Sequence, residues 1–476
     1  MKRWKWMRHL AVLAAIGLFV AACGDDAAAP DDEDPVVEED PADEEPADDP
    51  ADDEEAVDDE EGPADDEEAV DDEEEAVDDE EEATEEDDED VADEGEVIGG
   101  GEGLILGYIL PESGPLAFLG PPQIESVRMA IEDINEAGGV ADEEVTLITG
   151  DEAGDEAVAR DTADRLINDG VHGIIGAAAS GMSQAFIQTT FDNQIPQCSA
   201  ANTSPAFSDQ DNAGYYVRTV PPDEAVAPII ADEVIADGAT SVSVLARADD
   251  YGSLLQELII DSLEESGVEV VGDDTYDPNA TTFDAEVGNT EAANPDAIVI
   301  IGFDEAGQVI AGLLEAGFTP DQMYGGDGMF GPTFNEQVDA TDPNVIDGLK
   351  VIGAAGDAGF NDRLSEIVGG NLIYGGQAYD CAMIMALAAE SAGWDDPDAL
   401  IDAAKDVTRD GEPCASFEDC KALLEDGEDI DYDGASGPIE LDDVGDPTFG
   451  RYAVGQFNDG ELDIVGDYDV ELAELE

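Results

Sequence analysis

Basic residues are scarce in this chain: 15 Lys and Arg stand against 124 Asp and Glu, so the net charge at pH 7 is −109. Proteins that bind nucleic acids need a basic surface for the phosphates, so we exclude nucleic acid as a partner. Of the two histidines, His9 lies in an N-terminal segment expected to be removed, and His172 lies where a strand should begin, which favours a structural role. The sequence also has no Gly-x-Ser-x-Gly elbow, no phosphate-binding loop and no Cys/His metal spacing. It therefore predicts neither an enzyme nor a cofactor or metal site.

The apolar run near the N-terminus, Leu10–Val20, is too short to span a membrane comfortably. It follows a basic stretch and leads into two small residues, which is the order of a secretory signal peptide over residues 1–22. The ending Val20-Ala21-Ala22-Cys23 resembles the bacterial lipobox, which implies cleavage before Cys23 and lipid on its thiol. We therefore expect a protein held by acyl chains on the extracytoplasmic face of the cell membrane. Ordinary cleavage that leaves Cys23 as a spare cysteine is the alternative.

The segment 23–103 has the composition of a disordered acidic tether. Residues 24–96 contain no Lys or Arg and consist almost entirely of Asp, Glu, Ala, Val and Pro. Such a segment buries too little apolar surface to offset its ordering entropy, and its charges repel one another. We expect an extended chain whose reach shrinks as salt screens it, ending in a flexible hinge at Gly99–Gly103.

The rest of the chain is also strongly acidic. The tether holds about 45 of the acidic residues, which leaves a charge near −68 on the part that should fold. In concentrated salt the Debye length falls to about 3 Å, and such self-repulsion becomes tolerable. The surface therefore favours a salt-rich environment, while calcium binding and plain solubility remain alternatives.

Residues 104–476 are numerous enough for two domains, and short apolar runs alternate there with helical patterns. Helical spacing marks Glu125–Asn135 and Ala157–Asn168. The predicted strands are Leu104–Leu110, Val145–Thr149, His172–Gly176, Ser241–Ala246, Ala297–Gly302 and Leu349–Ala354. This alternation of predicted strands and helices indicates an α/β fold with parallel sheets covered by helices on both faces.

A set of short phrases across this region resembles one family, the Leu/Ile/Val-binding proteins. These are the type I solute-binding receptors of branched-chain amino acid ABC transporters. The phrases are Ser113-Gly114-Pro115, Ala130 to Asn135, Gly138-Gly139, Gly176 to Ser183, Ser199 to Pro205, Asp250-Tyr251-Gly252, Ala293 to Ala297, Gly325 to Gly328 and Asp433 to Pro438. They fall in the family's order over nearly the whole of residues 104–476, which makes the set specific although no single phrase is.

The resemblance implies two α/β lobes that are joined by three crossovers and close over a ligand. The first lobe would comprise residues 104–221 and 355–435, and the second lobe residues 222–354 and 436–476. The crossovers are expected near Thr219–Pro222, Val351–Ala355 and Gly434–Pro438. The ligand would then lie between the lobes, against strand ends and helix N-termini.

The resemblance also implies which residues meet an amino acid ligand. Ser180 matches the family's carboxylate-binding serine, and a plain N-cap is the alternative role for a serine that opens a helix. Thr203 would serve both the carboxylate and the ammonium, and the Ala201 carbonyl would accept from the ammonium. Asp327, which stands between two glycines, would supply the negative charge that a buried ammonium needs.

Four residues match positions that line the family's side-chain pocket: Phe118, Leu119, Tyr251 and Phe303. The surroundings suit Leu, Ile or Val, yet the family also has branches that bind amides, urea and other small solutes. The expected function is a monomeric receptor that delivers an apolar amino acid to the permease subunits of an ABC transporter. A receptor for another solute and a sensory ligand-binding protein are the alternatives.

The remaining cysteines bear on the compartment. Cys414 and Cys420 are close in sequence, and in an exported protein we expect them to form a local disulfide. Cys381 lies on an apolar helix and is expected to be a buried thiol, and the pairing of Cys198 stays open.

Near the C-terminus, the residues Asp429, Asp431, Asp433, Gly434 and Glu440 satisfy a calcium-loop pattern. A calcium-binding hand needs a helix after its loop, but residues 439–441 are typical of a strand. We therefore interpret the segment as the third crossover instead of a calcium site.

Overall fold

The computed structural model describes residues 95–101, 103–208 and 214–472. The predicted signal peptide, Cys23 and nearly all of the tether 23–103 lie outside the described residues. The predicted tether extends too far, because Val97–Ile98 form a strand that pairs with Leu147 and Ile148 at the edge of the first sheet. In the ranges that are described, no helix is both long enough and apolar enough to cross a membrane.

The first sheet forms from the start of the described chain. Its strands are β1 (Val97–Ile98), β2 (Ile105–Ile109), β3 (Thr146–Ile148), β4 (Gly173–Gly176), β5 (Gln197–Ser199) and β6 (Tyr216–Arg218). The strand order is β1-β3-β2-β4-β5-β6, and every pair is parallel except β1 with β3. The helices between these strands are α1 (Gly120–Glu136), α2 (Glu156–Asn168) and α3 (Ser180–Asn193).

The second sheet is built from the middle of the chain. Its strands here are β7 (Ser241–Arg247), β8 (Glu269–Gly272), β9 (Thr275–Tyr276), β10 (Ala297–Ile301), β11 (Met323–Gly325) and β12 (Lys350–Ala354). The helices are α4 (Ala227–Ala236), α5 (Gly252–Glu265), α6 (Asp284–Ala293), α7 (Ala306–Ala316) and α8 (Asn335–Asp339). All five residues of β10 are apolar and buried, as expected of a central parallel strand covered on both faces.

The chain then returns to the first lobe before it completes the second sheet. The returning helices are α9 (Ala358–Val368), α10 (Gly375–Ala392), α11 (Pro397–Asp406) and α12 (Phe417–Asp426). A small sheet contains β13 (Glu412–Cys414), β14 (Ile430–Gly434) and β15 (Gly437–Pro438). The hairpin of β16 (Phe449–Asn458) and β17 (Glu461–Glu471) then joins β12, so the second sheet runs β17-β16-β12-β11-β10-β7-β8 with β9 beside β7.

Two large apolar cores correspond to the two lobes. Helix α10 is mostly apolar and packs into the first core, where 15 of its 18 residues are buried. The second core contains the strands β7, β10, β11 and β12 together with α5 and α7. The predicted fold class, a two-lobed α/β binding-protein fold with parallel sheets, is confirmed.

The chain passes between the lobes three times. The first passage lies between Arg218 and Ala227 and the second follows Ala354. Near the third, Leu441 is buried in the first core and the Gly445 carbonyl accepts a hydrogen bond from the Arg218 amide. The chain therefore reaches the second sheet only at β16, later than the residues 434–438 that the sequence indicated. The reason is that residues 439–447 fold back onto the first lobe.

Two disulfides are present among the described residues. Cys414 pairs with Cys420, with their Cα atoms 5.3 Å apart, and Cys198 pairs with Cys381, with Cα atoms 5.6 Å apart. The prediction of a free buried thiol at Cys381 is therefore wrong. The apolar face of α10 does bury Cys381, but the same packing brings it against the end of β5, where Cys198 lies.

The segment with the calcium-loop pattern wraps around a buried aspartate instead. Asp380 is fully buried in α10 and accepts hydrogen bonds from the Tyr432 hydroxyl, the Ala435 amide, and the amide and hydroxyl of Ser436, at 2.5–2.8 Å. A Cβ on Gly434 would collide with its carboxylate, so glycine is required there. In the part of the chain that the structure describes, no group of His, Cys, Asp and Glu is arranged to hold a metal ion.

We expect Asp380→Asn to lower the free energy of unfolding by about 1–3 kcal/mol, because an amide has one acceptor oxygen and leaves buried donors unsatisfied. Chemical denaturation at fixed salt measures this change. An unchanged midpoint would show that these hydrogen bonds contribute nothing to stability.

Candidate functional site

A small cavity lies between the two lobes, at the carboxyl ends of strands from both sheets. Its walls are Leu116, Leu119, Ala178, Ala179, Ser180, Ala201, Tyr251, Phe303, Asp327, Gly328 and Tyr374. Ligands of open α/β sheets bind at this edge, because the loops that follow the strands converge there. The fold thus brings together Leu119, Ser180, Ala201, Tyr251, Phe303 and Asp327, which lie up to 208 positions apart in the sequence.

One wall of the cavity is the start of helix α3. Its N-cap residue, Ala179, provides no side-chain cap, and the buried Ser180 hydroxyl has no hydrogen-bond partner. The preceding loop is held rigidly: Asn202 donates to the Ala177 and Ala178 carbonyls at 3.0 and 2.9 Å. A helix start with a free hydroxyl attracts an anion, since its amides and dipole favour negative charge.

The next loop presents Thr203. Arg218 donates to the carbonyls on either side of it, those of Asn202 and Ser204, both at 2.9 Å. Arg218 is fully buried and forms an ion pair with Asp446 at 2.6 Å, so its own charge is neutralised. The Thr203 hydroxyl is buried and has no hydrogen-bond partner. Thr203 is not itself among the cavity-lining residues, although Ala201, two positions before it, is.

The second lobe contributes a buried carboxylate, Asp327. It accepts hydrogen bonds from the Tyr251 hydroxyl at 2.5 Å, from the Gly328 amide at 2.8 Å and from the Tyr374 hydroxyl. Burial raises the pKa of Asp327, and the two tyrosine hydroxyls oppose that rise by stabilising the charged form.

A second buried carboxylate, Asp223, was missed by the sequence analysis. It is fully buried and neither of its oxygens has a hydrogen-bond partner. Burial and the nearby charge of Asp327 raise its pKa well above the usual value. The Thr203 hydroxyl opposes this rise in the pKa of Asp223, although the hydroxyl and the carboxyl group are not arranged as a hydrogen bond of normal geometry. One signal was available, since Asp223 follows Pro221-Pro222 at a crossover that must border the lobe interface.

The remaining wall is apolar and aromatic. The Tyr251 and Phe303 rings are stacked with their centroids 5.4 Å apart. The Arg247 guanidinium lies 3.6 Å from the Phe303 centroid and is fixed by ion pairs with Asp249 and Glu305. This wall is therefore rigid, and it faces two leucines of the first lobe across the cavity.

These features are those of a solute-binding cleft, and the family comparison agrees. The sequence profile described as periplasmic binding protein matches residues 104–442. The chain belongs to this family. Its members are substrate-binding proteins that work outside the cytoplasm, and the predicted relationship to the Leu/Ile/Val-binding proteins is confirmed.

Individual relatives of this periplasmic binding protein are similar at modest identity. It is 24% identical over 379 residues to the chemotactic signal transduction system substrate-binding protein BasB of Halobacterium salinarum, covering 76% of this chain and 89% of BasB. The fold resembles the leucine-binding protein LivK of Thermotoga maritima, with a TM-score of 0.65 at 23% identity, covering 76% of this chain and 98% of LivK. It also resembles the branched-chain amino acid transporter substrate-binding protein LivJ of Streptococcus pneumoniae in complex with isoleucine, with a TM-score of 0.63 at 22% identity, covering 78% of this chain and all of LivJ.

Two further residues of this binding protein reach the site from the returning chain. Tyr374 precedes α10 in a left-handed backbone conformation, with φ of 59°, and donates to Asp327. The Tyr452 hydroxyl is buried without a hydrogen-bond partner. Burial raises the pKa of Tyr452, and the charges of Asp223 and Asp327 add to the rise. Tyrosines have no distinguishing sequence pattern here, so only the fold reveals them. Phe118, by contrast, lies outside the cavity wall, with its ring against Gly331 of the second lobe.

A larger, open cleft of about 760 Å³ lies on the first lobe beside α1, α9 and α12. Its acidic residue Asp133 is already paired with Arg363 and accepts from the Tyr379 hydroxyl. None of the residues that line this cleft has a buried unpartnered side-chain atom. The smaller cavity between the lobes is therefore the better candidate.

Proposed function

We propose that this protein is an extracytoplasmic receptor that binds an apolar amino acid between its lobes and delivers it to an ABC transporter permease. One observation carries the proposal. The cavity sets the start of α3 and the unpartnered Ser180 hydroxyl of the first lobe against the buried Asp327 carboxylate of the second lobe. Thr203 and Asp223 are buried next to each other beyond the cavity wall, and among the described residues neither Asp223 nor Asp327 forms an ion pair with a cation. A zwitterion with adjacent carboxylate and ammonium groups complements this arrangement.

The roles of the residues depend on that complementarity. Ser180 and Thr203 would donate to the ligand carboxylate. The ammonium would meet the Ala201 carbonyl, the Thr203 hydroxyl and the carboxylates of Asp327 and Asp223. A buried ammonium would supply a positive charge next to these two acids. The favourable interaction between the opposite charges would offset part of the free-energy cost of removing all three groups from water.

The ligand's side chain would lie against Leu119, Tyr251 and Phe303, with Phe118 at the margin. This wall has no free charged group, because Arg247 is paired with two acids. Leucine, isoleucine or valine fit such a surface, and the LivJ neighbour is described as a complex with isoleucine. The cavity itself holds only about 20 Å³, room for about one water, so we infer that the lobes must separate to admit a ligand.

The cellular setting belongs to the same proposal. Lipid on Cys23 would anchor the protein to the cell membrane through the acidic tether, and the receptor would work as a monomer without cofactor or catalysis. The cavity wall contains neither histidine nor cysteine, which fits binding rather than turnover.

A sensory role is the second candidate. Its support is the similarity to BasB, whose description assigns it to chemotactic signal transduction. Deleting the gene distinguishes the two roles. A transport receptor predicts loss of leucine uptake with chemotaxis intact, and a sensor predicts the reverse.

Ligand binding is tested by a thermal-shift titration in high salt, on the chain without residues 1–22. Leucine at a hundred times its dissociation constant is expected to add about 2.7 kcal/mol of stability. Leucinamide, which lacks the carboxylate, and 4-methylpentanoate, which lacks the ammonium, are the matched controls and should shift the transition little. A response to amides or urea alone would contradict the proposed ligand and leave the receptor fold intact.

A further inference from the structure

A buried glutamate lies directly behind the loop that presents Ser180. Glu152 is fully buried, and its carboxyl group accepts hydrogen bonds from the Ala178 amide at 2.7 Å and the Ala179 amide at 3.4 Å. Both amides belong to the loop between β4 and α3 that lines the cavity. The Glu152 carboxyl is thus hydrogen-bonded to the residue that immediately precedes Ser180.

No cation among the described residues forms an ion pair with Glu152. The charged neighbour is Asp151, which has the same sign and itself accepts from Ser113 and from the amides of Glu112 and Ala153. The loop packed against Glu152 carries only alanines, and Asp155 on the α2 side caps that helix. Burial raises the pKa of Glu152 to about 8, with the charge of Asp151 adding to the rise and the two amide hydrogen bonds opposing it.

A second negative charge at this place matters to a ligand carboxylate. When Glu152 is neutral, the start of α3 retains its full positive potential for an anion at Ser180. When Glu152 ionises, its charge is buried directly behind the same loop, where like charges repel more strongly than at the surface. Capture of the carboxylate therefore favours the neutral glutamic acid.

We propose that Glu152 couples capture of the ligand carboxylate to uptake of one proton, the neutral glutamic acid being the binding-competent form. The proposal rests on the proposed function, since it requires a carboxylate at Ser180. No bond other than the O–H of Glu152 forms, and the proton comes from solvent. Linkage is reciprocal, so the ligand must raise the proton affinity of Glu152 as much as the proton raises the affinity for ligand.

The coupling fixes the direction of the pH effect. Well below pH 8, Glu152 is already protonated, so affinity is flat and the ligand takes up no proton there. Near pH 8, Glu152 is ionised in about half of the free protein molecules, and those molecules must gain a proton when they bind the ligand. Above pH 8, the dissociation constant for the ligand rises by up to about tenfold per pH unit. Asp223 and Asp327 act in the opposite sense, because an arriving ammonium favours their charged forms and releases protons. Only a comparison with a Glu152 variant therefore isolates the effect.

The test is calorimetry with leucine at pH 6.5 and pH 8 in buffers of different ionisation enthalpy, using the mature chain and Glu152→Gln. Glutamine mimics the neutral acid, so its dissociation constant at pH 6.5 should stay within about threefold of the parent value. At pH 8 the parent should take up about half a proton more than the variant, and at pH 6.5 the two counts should agree. Asp380→Asn, another buried acid, is the matched control and should keep the parent's proton count.

The outcomes separate the two proposals. Leucine binding with equal proton counts at pH 8 would overturn the coupling and leave the proposed function standing. Failure of the parent protein to bind leucine would overturn the proposed function and the coupling with it. If Glu152→Gln does not fold, Glu152→Asp retains a carboxyl group, and proton uptake near its own pKa must persist; a pH-independent proton count in that variant overturns the coupling.

Discussion

Replacing Asp223 with asparagine is expected to weaken amino acid binding strongly while making the free protein more stable. Asp223 is a fully buried carboxylate without a hydrogen-bond partner, close enough to Asp327 that the two charges interact. Removing one partner of a buried charge pair costs roughly 2–5 kcal/mol, so leucine affinity should fall by about 30-fold to several thousand-fold. Removing an unpaired buried charge from the free protein should add about 1–3 kcal/mol to its stability.

The pH dependence gives this prediction a second signature. Because the folded-state pKa of Asp223 is raised, the native protein binds more protons than the unfolded chain, and its stability falls as pH rises above about 4. The Asp223→Asn variant should lack this part of the fall. Calorimetry measures the affinity, and denaturation at several pH values measures the stability.

The matched control is Asp380→Asn, which changes an equally buried aspartate whose oxygens are fully hydrogen-bonded. It should lower stability and leave leucine affinity unchanged, since Asp380 does not line the cavity. Unchanged affinity in Asp223→Asn would remove this residue from the ammonium site. Lower stability in that variant would show that its carboxylate has favourable partners in the native state.

Removing the Cys198–Cys381 disulfide is expected to have the largest effect on stability. The two cysteines are 183 positions apart, and the second lobe is built from much of the chain between them. In the chain-entropy model, a crosslink that closes a loop of this length stabilises the fold by about 5 kcal/mol. The double variant Cys198→Ala/Cys381→Ala should therefore unfold at a much lower denaturant concentration.

The other disulfide serves as the internal control. Cys414 and Cys420 are six positions apart, so the same model assigns their bond only about 2 kcal/mol. The long-range variant should also show a steeper dependence of stability on denaturant, because its unfolded chain expands more. Equal losses from the two double variants would contradict the loop-length explanation.

Much of the fold was open to prediction because its signals are local. The apolar strand β10 and the helical spacing of α1 are each readable within about a dozen residues, and their alternation indicates a parallel α/β fold. The resemblance of short sequence motifs to the Leu/Ile/Val-binding proteins then indicated that the fold has two lobes. The third passage was placed too early, since contacts such as the Arg218–Asp446 ion pair hold residues 439–447 on the first lobe.

The site divides in the same way. Ser180, Asp327 and Tyr251 stand in recognisable phrases at the ends of predicted strands, so the sequence could point to them. Glu152 stands in acidic surroundings where nothing local marks one carboxylate among 124 acidic residues, and the only local mark of Asp223 is the Pro221-Pro222 pair before it. Within the described ranges, both carboxyl groups are fully buried without an ion-pair partner, and burial is a property of the packed lobes.

The sequence by itself therefore determined the acidic composition, the α/β alternation and the family, because composition and periodicity are carried by neighbouring residues. Only the tertiary structure decided which carboxylates lie together and that Cys198 pairs with Cys381. It also placed Tyr374 at a site built mostly by earlier segments. These are contacts between segments about 50 to 180 residues apart, as in Asp327 with Tyr374 and Cys198 with Cys381. The free energy of such contacts depends on burial, distance and dielectric surroundings, which exist only after the chain has folded.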